Sequence, residues 1–138
     1  MKVAIVGSEE KYWYAEQKEQ VKEEIFRILY LWDGPLPTRA TLVSGHCPKG
    51  GVDIWAEQVA EELGLERIIY KPQIKQWYDK GELKGYRSRN IMIAEECDVL
   101  YDIEPYRDDN LGYRRSGGTW TLQYAQKLSK EVHLVVIK

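Results

Sequence analysis

Five short apolar runs separated by segments of helical periodicity constrain this chain more than any other feature. Val3 to Val6 closes at Gly7-Ser8 and leads into Val21, Ile25, Ile28, Leu29 and Trp32 at helical spacing. That pattern predicts a strand and then an amphipathic helix, stopped by Asp33-Gly34-Pro35. Ala40 to Val43 predicts a second strand, and Trp55, Ala56, Val59, Ala60 and Leu63 a second helix ending at Gly64. Arg67 to Tyr70 is expected as a third strand halted by Pro72, and Ile91 and Ala94 mark a third helix. Val99 to Ile103, Thr119 to Lys130 and Val132 to Ile137 complete the series as strand, helix and strand. Strands that alternate with helices require right-handed crossovers, which build a parallel sheet covered on both faces. The expected fold is an α/β three-layer Rossmann-like open, mostly parallel five-stranded sheet. At 138 residues the chain fits a single domain, residues 1–138, with no internal repeat or linker.

In open sheets of this kind ligands bind beyond the carboxyl ends of the strands, where the strand order reverses. Three glycine- or arginine-bearing segments are expected at those ends. They are Ser44-Gly45-His46 with Gly50-Gly51-Val52-Asp53, then Arg87-Ser88-Arg89-Asn90, then Ser116-Gly117-Gly118-Thr119. Each stands just before a helical pattern, where free N–H groups and the positive end of the helix dipole favour phosphate or carboxylate. The expected ligand-binding residues are Gly7, Ser8, Ser44, Gly45, Gly51, Asp53, Arg87, Arg89, Asn90, Gly117, Gly118 and Thr119. The expected partner is a nucleotide or nucleotide derivative.

Competing roles exist for each. Glycines at 45, 50 and 51 also serve tight strand-to-helix turns, and Asp53 also suits a helix cap. Arg89 suits phosphate through its planar fork, and equally an ion pair with Glu95 or Glu96. Ser8 and Ser44 lack a histidine with an acidic partner at recognisable spacing, so no serine nucleophile is indicated. Trp55 and Trp120 fall at core spacing, whereas Trp13, Tyr14, Trp77 and Tyr78 are better placed to flank a purine.

A formal charge of -2 argues against a general nucleic-acid coat. Positive charge is concentrated at Lys71, Lys75, Lys80, Lys84, Arg87 and Arg89, and again at Arg107, Arg114 and Arg115. The first residues enter a strand directly and no apolar stretch approaches a membrane span, so a cytoplasmic protein without a membrane partner is expected. Cys47 and Cys97 are expected as thiols. His46-Cys47 and His133 do not form a zinc-ligand spacing, and no metal is implied.

Val3-Ala4-Ile5-Val6-Gly7-Ser8, Leu42-Val43-Ser44-Gly45, Gly51-Val52-Asp53 with Trp55-Ala56-Glu57, Arg89-Asn90 with Met92, Asp98, and Gly117-Gly118-Thr119 with Ala125 follow one another along nearly the whole chain. In that order they resemble the YpsA-related branch of the SLOG superfamily. That superfamily includes the Lonely Guy phosphoribohydrolases, the molybdenum cofactor carrier protein and the DNA processing protein A fold. The resemblance implies a Rossmann-like fold that binds nucleotides or their derivatives, in a branch whose activity is generally unassigned. Two departures stand out. Where the Lonely Guy motif places a glutamate three residues after its threonine, this chain has Leu122, with Gln123 beside it. The Glu104 to Ser116 connection is also long, and its arginines could close over phosphates.

Three functions remain open at this point. The first is a nucleotide-binding sensor or carrier. The second is a nucleoside monophosphate N-glycosidase, for which Asp53, Glu57, Asp98 or Asp102 would have to supply the carboxylate. The third is single-stranded nucleic-acid binding through the basic segment from Lys71 to Arg89. Apolar positions on the first and third helices are compatible with a homodimer.

Overall fold

The computed structural model describes residues 1–138. In chain order it contains β1 (Lys2–Gly7), α1 (Ala15–Trp32), β2 (Thr41–Ser44), α2 (Val52–Glu62), β3 (Glu66–Ile69), α3 (Tyr86–Glu96), β4 (Val99–Pro105), α4 (Gly117–Lys127) and β5 (Glu131–Ile137). The strands form one sheet in the order β3-β2-β1-β4-β5. Every neighbouring pair is parallel, so the expected Rossmann-like sheet is present and wholly rather than mostly parallel. The chain steps outward from β1 to β2 and β3, then crosses back to β4. That reversal opens a crevice at the carboxyl ends of β1 and β4.

The period-two alternation of the strands divides the core between the two faces. Val3, Ile5, Leu42, Tyr101 and Ile103 meet Val21, Ile25 and Leu29 of α1 and Trp55 and Val59 of α2 on one side. Ala4, Val6, Val43 and Leu100 meet Ile93 and Ala94 of α3 and Ala125 of α4 on the other. β4 is buried at every position. On the α4 side its series runs from Leu100 to Asp102 and Glu104, so two acids stand where the pattern calls for apolar side chains.

Helix boundaries move the site residues relative to expectation. α4 opens at Gly117, because Ser116 caps it: the Gly118 N–H donates to Ser116 Oγ (2.9 Å) and the Ser116 N–H to Thr119 Oγ1 (2.8 Å). α3 begins at Tyr86, which places Arg87, Arg89 and Asn90 inside its first turns rather than ahead of them. No helix is long and apolar enough to cross a membrane.

Candidate functional site

A cavity of about 240 Å³ lies over the crevice and draws on four connections. Gly7, Ser8 and Glu9 come from the end of β1, and Cys47, Lys49 and Asp53 from the turn into α2. Trp77, Tyr86, Arg89, Asn90 and Ile93 come from α3 and the segment before it. Arg114, Ser116, Gly117, Gly118 and Thr121 come from α4 and its approach, and Val6 completes the lining.

Of the expected ligand residues, Gly7, Ser8, Asp53, Arg89, Asn90, Gly117 and Gly118 line this cavity. Ser44, Gly45, Gly51, Arg87 and Thr119 do not, and each has a structural task. Ser44 Oγ donates to Glu57 (2.8 Å). Gly45 allows Arg89 to reach its carbonyl, where a Cβ would collide with the guanidinium. Gly51 adopts φ 89° with the Ser8 carbonyl against it, a conformation and an approach that only glycine tolerates. Arg87 is exposed and lies over the Trp120 ring at 5.7 Å. Thr119 completes the α4 cap, its hydroxyl donating to the Ser116 carbonyl at 2.7 Å.

Not every helix start presents donors to the cavity. The Gly85 N–H is taken by Asp79 Oδ1 (2.8 Å), and those of Tyr86 and Arg87 by the carbonyls of Gln76 (2.8 Å) and Trp77 (3.0 Å). The start of α3 is thus spent on its own preceding segment. At α4 the Gly118 N–H is held by Ser116, whereas the Gly117 N–H donates to no protein acceptor.

Arg89 acts inward. Its Nε donates to Asn90 Oδ1 (2.7 Å) and its Nη1 to the Gly45 carbonyl, and it makes no pair with Glu95 or Glu96. Because Oδ1 is committed, the Asn90 amide nitrogen is turned the other way, and no protein acceptor takes it. A Cβ on Gly117 would stand 3.5 Å from that nitrogen, so the Asn90 amide lies close to Gly117, and each of these two lining residues carries a free donor. Arg114 adds a third group. Its Nη1 donates to Ser8 Oγ (2.9 Å), and its guanidinium carbon lies 3.3 Å from the centre of the Tyr12 ring. Arg114 is the first cause holding the Tyr12 hydroxyl below its ordinary range.

Negative charge is held close behind these donors. Asp53 accepts from the Cys47 N–H (3.1 Å), and burial raises its pKa to about 6, with Arg89 opposing the shift. Glu104, fully buried, accepts from the hydroxyls of Ser8 and Ser116. Asp102, also fully buried, meets no donor at either oxygen. Burial first, and then Glu104, pushes its pKa well above the carboxylate range. A proton retained on Asp102 supplies the donor that this pair of acceptors lacks.

One arrangement corrects the sequence analysis. His46 does have an acidic partner, since its Nδ1 lies 2.7 Å from Glu57 Oε1. Glu57 lies between His46 and Ser44, so the histidine is not in line to activate the serine hydroxyl. Of the aromatic residues expected to flank a ring, Trp77 lines the cavity. Trp13 is buried against Trp55, and Tyr14 and Tyr78 face solvent. Both cysteines are unpaired, and no group of three or more His, Cys, Asp or Glu side chains is placed to hold a metal ion.

No protein-family model matches the sequence, and no curated protein matches it. Solved structures do match. DNA processing protein A from Streptococcus pneumoniae is 19% identical at a TM-score of 0.63, over 96% of this chain and 49% of that one. DNA processing protein A from Helicobacter pylori, which has a single-stranded DNA binding mode, is 18% identical at 0.63, over 97% of this chain and 64% of that one. The molybdenum cofactor carrier protein of Chlamydomonas reinhardtii is 18% identical at 0.64, over 96% of this chain and 74% of that one. All three share the Rossmann-like fold of this chain. The chain spans about half to two thirds of the DNA processing proteins that it matches.

Trp77, Arg114 and Ser116 line the cavity from segments already marked in the sequence, whereas Val6, Glu9, Cys47, Lys49, Tyr86, Ile93 and Thr121 were not expected as ligand contacts. Ser116 carried a usable signal, a serine three residues before a hydroxyl at a helix start. Asp102 and Glu104 carried another, two acids at alternate positions of an otherwise apolar strand. Arg114 was marked only as one of three arginines of the long connection that could close over phosphates, and it is the one of them that reaches the cavity.

Proposed function

We propose that the protein binds a nucleotide or nucleotide-derived phosphorylated ligand over the carboxyl ends of β1 and β4, as a sensor or carrier. The observation that carries this reading is the pair of unpartnered donors, the Gly117 N–H and the Asn90 amide, beside Arg114 at the start of α4. The resemblance of its motifs to those of the YpsA-related branch supports it, and the fold shared with a molybdenum cofactor carrier protein supports a carrier in particular. Asp53, Glu9 and Glu104 around the donors favour a ligand with few phosphates over a long polyanion, which weighs against the single-stranded DNA alternative raised by the DNA processing proteins.

The glycosidase alternative narrows to one group. Of Asp53, Glu57, Asp98 and Asp102, Asp53 alone lines the cavity, and a carboxyl with a pKa near 6 exchanges protons around neutral pH. Thermal unfolding against a panel of nucleotides and nucleoside monophosphates, with product analysis of each sample, tests both. A raised midpoint without turnover, lost in Asn90→Ala, is the expected outcome. Release of free base that disappears in Asp53→Asn would move the protein to the enzymes. No shift with any nucleotide would overturn the phosphate site.

A further inference from the structure

We propose that Trp77 is a stacking wall of this cavity, so that the bound phosphorylated molecule carries a planar heteroaromatic ring. The inference rests on the phosphate reading above and extends it to the other end of the ligand. Trp77 and Tyr86 line the cavity from the α3 side, and Arg114, Ser116 and Gly117 line it from the α4 side. Both aromatic rings stand on the α3 side, which also carries the Asn90 donor, and the α4 side supplies donors without a ring, so the cavity offers one end to a ring and another to a phosphate.

Trp77 is held as a platform rather than as a free surface side chain. Its carbonyl accepts the Arg87 N–H (3.0 Å), and the neighbouring Gln76 carbonyl accepts that of Tyr86 (2.8 Å). A Cβ on Gly85 would stand 2.8 Å from the Trp77 carbonyl and 2.7 Å from that of Tyr78, so the segment is packed tightly onto the start of α3. The indole meets Trp120 edge to face, with centroids 5.1 Å apart and planes at 90°. Trp120 is itself fixed, stacked on Tyr124 at 5.4 Å with Arg87 over its ring. In a T-shaped pair, Trp120 covers at most one face of Trp77. The half-buried indole therefore keeps a face without an aromatic partner, in a side chain that lines the cavity. Tyr86 stands beside it with one side of its ring facing the Arg89 guanidinium, 5.5 Å from the ring centre and held there by Gly45 and Asn90.

Stacking on an ordered indole discriminates by the presence of a ring and tolerates its identity, since every base has a π-face. Calorimetric titration of the wild-type protein, Trp77→Ala and Trp77→Phe with adenosine, guanosine, cytidine and uridine monophosphates, and with ribose 5-phosphate, reads this directly. At least one nucleotide is expected to bind more tightly than ribose 5-phosphate by about tenfold or more. Trp77→Ala is expected to bring that nucleotide down to the ribose 5-phosphate level while leaving ribose 5-phosphate unchanged, and Trp77→Phe to retain most of the difference. Ribose 5-phosphate binding as well as every nucleotide would overturn the ring site and leave the phosphate site standing. Equal weakening of nucleotide and sugar phosphate in Trp77→Ala, or in Trp77→Phe should Trp77→Ala not fold, would make Trp77 structural and overturn it too. Failure of all five compounds would remove the phosphate reading itself, and this inference with it.

Discussion

Asp102 and Glu104 converge on one point beneath α4: a Cβ on Gly118 would stand 2.6 Å from Asp102 Oδ1 and 3.0 Å from Glu104 Oε2. The two acids share a strand face, and the hydroxyls of Ser8 and Ser116 attend to Glu104 alone. Asp102 is therefore the group whose burial depends on keeping its proton.

A carboxyl whose pKa is higher in the folded than in the unfolded protein holds its proton more tightly when folded. Its contribution to stability is full below the unfolded value, near 4, and is lost as the pH rises through the folded value. Asp102 is shifted well upward and Asp53 to about 6, so both make the protein less stable as the pH rises from about 4. For Asp53 the shift from 3.8 to about 6 corresponds to about 3 kcal/mol, all of it lost by near-neutral pH. Urea unfolding across this range is expected to show a falling stability that Asp53→Asn flattens up to about pH 6 and Asp102→Asn flattens further upward. A wild-type stability that rises over the same interval would contradict both assignments.

Adjacent glycines at the start of α4 should respond in opposite ways to alanine. Gly118→Ala drives a Cβ into two buried carboxyls and to within 3.0 Å of the Gly7 nitrogen, and should cost about 2–3 kcal/mol in denaturant titration. Gly117→Ala meets only the Asn90 amide, at 3.5 Å, and should leave stability nearly unchanged. Its methyl group would nonetheless stand against the free Asn90 amide in the cavity lining, so nucleotide binding should weaken by about tenfold or more. Unchanged affinity in Gly117→Ala would place the anion elsewhere.

Arginines 89 and 114 should separate stability from binding. Arg89→Ala leaves the Gly45 carbonyl and Asn90 Oδ1 without their donor in a buried setting, and is expected to cost about 2–3 kcal/mol of stability as well as affinity. Arg89→Lys should not rescue it, since a point ammonium cannot replace two directed donors. Arg114→Leu should reduce affinity with a smaller change in unfolding midpoint.

Arg114→Leu also carries an optical signature. With the guanidinium gone from its ring, the Tyr12 hydroxyl should titrate at a higher pH than in the wild type. Ultraviolet difference titration of the two proteins would detect the upward move, and coincident curves would remove Arg114 from the Tyr12 ring.

Much of the architecture was legible because burial on both faces leaves a plain trace. The apolar runs of β1 and β4 and the helical spacing of Val21, Ile25 and Leu29 identify their elements without ambiguity. The site was legible in part. Gly117 and Gly118 were visible as a helix start, but their division of labour was not, since it depends on Glu104 and Asn90 arriving from other elements. Arg89 lines the cavity, and it also orients Asn90 beside it, a task that its position in the sequence does not show. Hydrogen-bond partners distant along the chain decide such roles, and no local pattern reports them.

Cys47 lines the cavity and is half-buried, while Cys97 is wholly enclosed among Ala94, Leu100 and Ala125. The chain thus comes with one addressable sulfur inside its own crevice. Burial, the first cause, lifts that thiol above its ordinary range, so alkylation is slow at neutral pH and accelerates in alkali. A maleimide or disulfide-bearing fragment would be delivered to the crevice without any engineered residue, and the labelling rate would serve as a clock for whatever molecule shields it.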